Sequence, residues 1–309
     1  MKEQLFLETI KSAIGDKYIG DDCAYLEDLG IVVSQDSLVE DIHFKTEYMT
    51  PYQLGFKSMM VNLSDISASG AEPKYVSIAL SLPKTIENDF IKEFYEGAKE
   101  ALGEVEIIGG DITGSEKIIV SVCIIGKVGA RKISSRANAK SGHVLVTTGV
   151  YGSSAGGLEL LLQGKTQPNS LIDKHLMPKA QLDVSKTIAQ NIKEDYAMMD
   201  TSDGLADALY KIAKASNKKL KIEFEKIKFD EELKNIFPQN YKEKMLFGGE
   251  DYQIVATLPK ELVLQLDDVY IIGEVVELEQ NETPVVEFKT EKEVLKINSL
   301  EKCYNHFNL

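Results

Sequence analysis

Positive charge is what this sequence most lacks. Lysine and arginine number 35 against 49 aspartates and glutamates, a formal net charge of -14. The basic stripe that attracts nucleic acid or an anionic membrane surface is therefore missing, and neither is expected as a partner. Cysteine is scarce too. Cys23, Cys123 and Cys303 are odd in number, far apart and without a C-x-x-C pair, which argues against a disulfide framework and a zinc site and leaves reduced thiols as the expectation. No uncharged run approaches the ~18 apolar residues that span a bilayer. The opening Met1-Lys2-Glu3-Gln4-Leu5-Phe6 carries an acid and leads into no long apolar region, so it does not read as a secretory signal. A soluble, cytoplasmic protein is expected. The nucleotide-binding patterns G-x-x-x-x-G-K-[ST] and G-x-G-x-x-G and a kinase-type H-R-D loop are also missing, which disfavours the ordinary nucleotide folds.

What is present is an ordinary globular composition, 43% hydrophobic and 27% charged over 309 residues, long enough for two domains with a core in each. Val76, Ile78, Leu80 and Leu82 alternate with Ser77, Ala79 and Ser81 before Pro83, the period of a strand with one bulky and one small face. Residues 118–125 and 143–147 read as further strands. Thr50-Pro51 is a helix start and Gly70 a plausible stop; between them Ser58, Asn62, Asp65 and Ser69 form one narrow polar stripe on a mostly apolar helix. Strands and helices alternate throughout, which predicts an α/β (α+β) fold with mixed sheets flanked by helices. The basic, small-residue stretch 129–142 reads as a linker, dividing the chain into 1–135 and 136–309.

Six places put an acid beside glycine or small polar residues near the end of an apolar segment: Gly20-Asp21-Asp22, Ser34-Gln35-Asp36, Asn62-Leu63-Ser64-Asp65, Gly109-Gly110-Asp111, Asp200-Thr201-Ser202-Asp203-Gly204 and Gly248-Gly249-Glu250-Asp251. Each alone is ordinary turn or N-cap chemistry; Ser202 or Asp203 capping a helix from Leu205 would account for its motif. Together they place acids next to segments that must be buried. Converging carboxylates need a counter-charge the chain itself hardly supplies, and hard Mg²⁺ shared with substrate phosphates fits that need. The glycine-rich turn from Gly149 to Gly157 could cradle phosphate on its backbone N–H groups, or could simply be a tight turn. His43 reads equally as a substrate contact or a surface residue, and Arg136 as a phosphate ligand or a solvated linker charge.

In order and spacing, the stretches "IGDDCAYL", "VVSQDSLVEDIHF", "VNLSDISASGAEP", "IIGGDITGS", "YGSSAGGL", "MDTSDGL" and "FGGEDY", with "CYNHF" near the end, resemble the thiamine monophosphate kinase family, within the superfamily that includes aminoimidazole ribonucleotide synthetase. The resemblance spans nearly the whole chain. It implies two α/β domains of the aminoimidazole ribonucleotide synthetase-like fold, the N-terminal one binding ATP and metal and pairing across a homodimer. It also implies Mg²⁺ ions on Asp22, Ser34, Gln35, Asp36, Asp65, Asp111, Asp200 and Asp203. ATP is implied beside Gly110, Asp111, Arg136, Ser202 and Tyr95, and thiamine monophosphate beside His43, Glu250 and Tyr304. Gln35, Cys303 and Asn305 depart from the threonine, glycine and aspartate common in the family. The implied reaction is ATP-dependent phosphorylation of thiamine monophosphate to thiamine diphosphate, with a phosphate oxygen as nucleophile and no general base. Two other readings stand beside it: a superfamily synthetase acting through an acyl- or imidoyl-phosphate, and a non-catalytic acidic metal-binding module.

Overall fold

The computed structural model describes residues 2–167, 169–304 and 306–307. The N-terminal half contains α1 (Lys2–Ile14), β1 (Ala24–Leu26), β2 (Ile31–Val39), α2 (Pro51–Ser69), β3 (Glu72–Leu82), α3 (Asn88–Leu102), β4 (Glu106–Gly114) and β5 (Ile119–Lys127). Its strands form one five-stranded sheet ordered β1-β2-β5-β3-β4, antiparallel except for β3 and β4, which α3 joins as a parallel crossover. In the C-terminal half follow β6 (Val144–Thr148), α4 (Ser153–Leu162), α5 (Ser170–Leu176), α6 (Leu182–Asn191), β7 (Ala197–Asp200), α7 (Leu205–Ser216) and β8 (Lys219–Glu223). The last elements are α8 (Glu231–Ile236), α9 (Tyr241–Phe247), β9 (Ile254–Leu258), α10 (Lys260–Val263), β10 (Val269–Val276), β11 (Val285–Lys289) and β12 (Val294–Ile297). A seven-stranded sheet, β12-β11-β8-β10-β6-β9-β7, holds them together, with β8 and β11 its parallel pair. Both sheets are mixed and flanked by helices, as the alternation of elements predicts.

The helix α2 positions the site. Thr50 caps it, its hydroxyl accepting from the Gln53 amide while the Gln53 side chain reaches back to the Thr50 N–H, and Gly70 ends it at φ 84°. A left-handed residue there suits glycine and stops the helix. On one side α2 crosses α3 through paired glycines: a Cβ on Gly55 would sit 1.9 Å from the Phe94 carbonyl oxygen, and one on Gly97 1.9 Å from that of Tyr52. Only hydrogens at those positions let the two backbones meet this closely. Elsewhere α2 packs on its own sheet and on β7 and α6 of the other half. Its leucines, isoleucines and methionines are accordingly buried almost all round, the pattern of a helix enclosed on every side.

The stretch that joins the two sheets is stitched down. Ser134 Oγ donates to the Ala68 carbonyl at 2.6 Å, Arg131 Nη1 to that of Ala71 at 2.7 Å, and the Lys132 amide to Ala189 at 2.9 Å. Among the described residues no helix is long and apolar enough to cross a membrane.

Candidate active site

Three carboxylates from separate acid motifs meet. One carboxylate oxygen each from Asp22, before β1, Asp65, on α2, and Asp200, at the end of β7, lie within 4.8 Å of one another. Each arrives for a local reason. Strand β7 is buried along its whole length and delivers Asp200 at its C-terminal end. Asp65 belongs to the polar stripe of α2, whose Asn62 fixes the neighbouring strand by accepting from the Asp36 amide at 3.1 Å. Ser34 and Asp36 share the inward face of β2; the Ser34 hydroxyl donates to Asp65 Oδ2, so it orients a carboxylate.

The electrostatics are those of crowded, buried acids. Burial first, then the charges of Asp203 and Asp22, pushes Asp36 up to about 6. Burial and Asp22 push Asp200 to about 7, and burial with Asp36 and Asp200 raises Asp65 well above the carboxylate range. Asp22 is raised by burial despite Arg136, whose Nη2 lies 2.6 Å from its Oδ1. Arg136 is thus no solvated linker charge: its amide also donates to Asp21 Oδ1 at 2.7 Å. Asp203 lies 3.1 Å from Lys211 Nζ, which also pairs with the buried Asp207 at 2.6 Å.

The donor set fits a hard divalent cation. It is all oxygen, and Asp200 Oδ1 is buried with no hydrogen-bond partner among the described residues. An orphaned carboxylate oxygen amid like charges has no structural justification; a cation beside it would supply one.

The remaining sequence expectations divide. Gln35 points to the other face of β2, where its amide donates to Ser121 Oγ at 3.3 Å, because side chains alternate along a strand; it does not join Ser34 and Asp36. Asp111 does not join the acids either. It lies on β4, at the sheet edge three strands from β2, roughly 14 Å across at the usual strand spacing. Gly110 beside it has a steric role, since a Cβ there would meet the Ile78 carbonyl oxygen at 1.8 Å. Tyr95 sits half-buried on α3, its ring edge-on to Phe94 at 5.4 Å. Helix α7 is not capped by Ser202 or Asp203: Gly204 holds the N-cap position at φ 109°, with no side-chain cap bond. Ser202 instead accepts the Glu250 amide on its carbonyl at 2.7 Å, which draws the "FGGEDY" turn against the "DTSDG" turn.

The glycine-rich turn already holds an anion, and it is the chain's own. Asp251 accepts from the amides of Gly152 and Ser154 at 2.6 and 3.0 Å, at the start of α4. A Cβ on Gly157 would meet the Leu171 carbonyl oxygen at 2.1 Å, so this glycine serves the packing of α4 on α5. The tight-turn reading therefore replaces the phosphate cradle.

Near the acids lies a second group. His43 Nδ1 accepts from the Val39 amide at 3.0 Å, and its ring sits 5.1 Å from that of His306, which is edge-on to Tyr304 at 4.9 Å. Burial and His306 lower the His43 pKa. Asn305 is outside the described residues. The sequence reading missed Lys57, whose ammonium is fully enclosed 3.1 Å from Glu250 Oε1, and Ser64, which donates to Asp200 Oδ2 at 2.6 Å. Both lie on α2 seven residues apart, the same helical face. A lysine inside an otherwise apolar helix was the available signal.

Two linked α/β halves with acids gathered between them define the AIR synthase class. Residues 20–128 match the family of AIR synthase related proteins, N-terminal domain, and residues 140–285 its C-terminal domain. Within that class the chain belongs to the thiamine-monophosphate kinase family. It is 37% identical over 282 residues to the thiamine-monophosphate kinase of Aquifex aeolicus, an alignment covering 88% of this chain and 90% of that one. It is 36% identical over 265 residues to that of Bacillus subtilis, covering 82% and 81%. The structure of AaThiL complexed with AMPPCP and TMP superposes with a TM-score of 0.84 at 35% identity, covering 94% of this chain and 93% of that one.

Proposed function

We propose that this chain transfers the terminal phosphoryl group of ATP to thiamine monophosphate, giving thiamine diphosphate and ADP, as a step in thiamine diphosphate biosynthesis. Membership of the thiamine-monophosphate kinase family and the AaThiL complex support the reaction. The observation that carries the chemistry is the meeting of Asp22, Asp65 and Asp200 from three separate elements.

The acceptor oxygen belongs to a phosphate already ionised near neutral pH, so no side chain has to remove a proton. The chemical task is charge: two doubly charged phosphates about 4 Å apart repel by roughly 16 kcal/mol at an effective dielectric of ~20. Asp22, Asp65 and Asp200, with Asp36 and Asp203 beside them, would hold Mg²⁺ ions, which when bound supply the positive charge that phosphoryl transfer needs. Ser34 and Ser64 keep two of these carboxylates oriented, and Arg136 and Lys211 balance Asp22 and Asp203. Glu250, His43 and Tyr304 form the acceptor side, Arg136 and Ser202 the ATP side. Transfer is in line, without a phosphoenzyme.

The protein acts as a cytoplasmic homodimer in this reading. Support for pairing comes from β4, an edge strand exposed along its whole length that shows Ile107, Ile108 and Ile112 at 40, 57 and 67% exposure. Such an edge normally needs cover. Asp111 and Gly110 sit on this edge, so their part in ATP and metal binding rests on the family resemblance alone.

The test is to incubate the protein with ATP, Mg²⁺ and thiamine monophosphate and to follow thiamine diphosphate and ADP together, with free thiamine as control acceptor. Equal amounts of both products from the monophosphate alone are expected. ADP with inorganic phosphate and no thiamine diphosphate would instead mark a synthetase that activates its substrate by phosphorylation.

A further inference from the structure

Glu250 is built into the protein with unusual care. Its backbone is left-handed, φ 65°, a conformation that costs a non-glycine residue roughly 1 kcal/mol and tends to persist at functional positions. Its amide is fixed on the Ser202 carbonyl, and the Gly249 before it approaches the same oxygen so closely that a Cβ would stand 2.6 Å away. The carboxylate is held from behind. Lys57 Nζ lies 3.1 Å from Oε1, and His175 Nδ1 lies 3.3 Å from Oε2 and 3.0 Å from Ser154 Oγ. Lys57 comes from α2 in the N-terminal half, and His175 and Ser154 from α5 and α4 in the other.

The exposures are unequal in a telling way. The side chains of Lys57 and His175 are 0% exposed and that of Glu250 is 26% exposed. The ion pair is therefore a dipole with its positive end sealed inside and its negative end at the surface, and the Glu250 charge acts on the ionisation of His43 and Tyr304. Burial by itself would raise the Glu250 carboxyl; the Lys57 ammonium outweighs it and holds the pKa below its ordinary value. His175, lowered to about 3 by burial and then by Lys57, stays neutral and brings no competing charge. A buried ion pair is seldom the most stable choice for a core. This one keeps a carboxylate ionised and immobile.

We propose that Lys57 and His175 are positioning residues that fix Glu250 as an anionic contact for the cationic heterocyclic part of the acceptor, away from its phosphate. The inference rests on the kinase reading above and deepens it, because it assigns the organic cation and the phosphate to opposite sides of the site. A carboxylate repels phosphate and attracts a ring cation, so the acid cluster with its metals takes the phosphate and Glu250 takes the ring.

The test is a double-mutant cycle in steady-state kinetics. Lys57→Met is expected to raise the KM for thiamine monophosphate by roughly tenfold, with the KM for ATP and kcat moving less than about twofold. In a Glu250→Gln background the same change should shift that KM by less than about twofold, since a residue acting through Glu250 has nothing left to position. His175→Gln, a milder change, should shift it in the same direction by roughly threefold and serves if Lys57→Met does not fold. An unchanged acceptor KM in the variant that folds, or equal losses in both backgrounds, overturns the inference while the kinase reading stands. A wild-type protein with no turnover of thiamine monophosphate overturns the kinase reading, and the inference falls with it.

Discussion

Ser64 Oγ on α2 donates to Asp200 Oδ2 at the end of β7 across 2.6 Å, so a helix of one half holds a carboxylate of the other at the point where the acids meet. Ser64→Ala leaves that buried oxygen without its donor. It should cost about 1–3 kcal/mol of stability, read as a lower denaturant midpoint, and should reduce turnover as Asp200 loses its orientation. A variant with the parent midpoint and turnover would remove Ser64 from the site.

Asp203→Asn tests a different edge of the cluster. Asp203 is partly exposed and, among the described residues, its carboxylate is tied to Lys211, so the fold should survive, with an unchanged circular dichroism spectrum. Turnover should fall by roughly tenfold or more, because a ligand for the charge that offsets phosphate repulsion is gone. Unchanged activity at limiting Mg²⁺ would take Asp203 out of the metal set.

The crowded acids make a pH prediction with a definite sign. Asp36 and Asp200 are raised to about 6 and about 7. An acid whose folded pKa is raised contributes stability that is full below its unfolded pKa and lost as pH rises through the folded value. Metal-free protein should therefore lose stability between about pH 4 and pH 7 on this account, while Mg²⁺, which needs ionised carboxylates, should restore it. Thermal unfolding with and without chelator should show a larger Mg²⁺-induced rise in Tm at pH 8 than at pH 5. Equal rises at both would detach these acids from metal binding.

How much of this was legible in the sequence depends on the range of the interaction. The ends of α2 were readable because Thr50-Pro51 and Gly70 act locally, and the alternation of Val76 to Leu82 gave β3 its buried face for the same reason. That several acid motifs converge was readable from their recurrence. Which acids actually meet was not: Asp22, Asp65 and Asp200 are brought together by packing of distant elements, while Asp111 carries the same motif and lies on the far edge of the sheet. Gln35 stands next to Ser34 and Asp36 in sequence yet faces the other side of β2, a strand parity that motif membership does not carry. Asp251 was hidden because an aspartate 97 residues from Ser154 fills the anion site that the glycine turn advertises.

Tyr304 gives a prediction about the acceptor. Its ring stands edge-on to His306 beside His43, so Tyr304→Ala removes an aromatic wall from that side only. The apparent KM for thiamine monophosphate should rise by several-fold, on the order of the 0.5–1.5 kcal/mol such ring contacts contribute, and that for ATP should change less. The reverse ranking would move Tyr304 out of the acceptor pocket.

The two working faces of α2 restrict how this protein can change. Lys57 and Ser64 reach Glu250 and Asp200 from one face, while Asn62 and Asp65 serve β2 and the carboxylates from another, and the glycine crossing pins the first half of the helix on α3. Inserting or deleting a single residue in the middle of α2 would turn everything beyond it by about 100° and shift it by about 1.5 Å, breaking register with both sheets and α3 at once. Length variation should thus accumulate in connections such as residues 277–284 and leave α2 a segment of fixed length, the gauge against which the two halves are spaced.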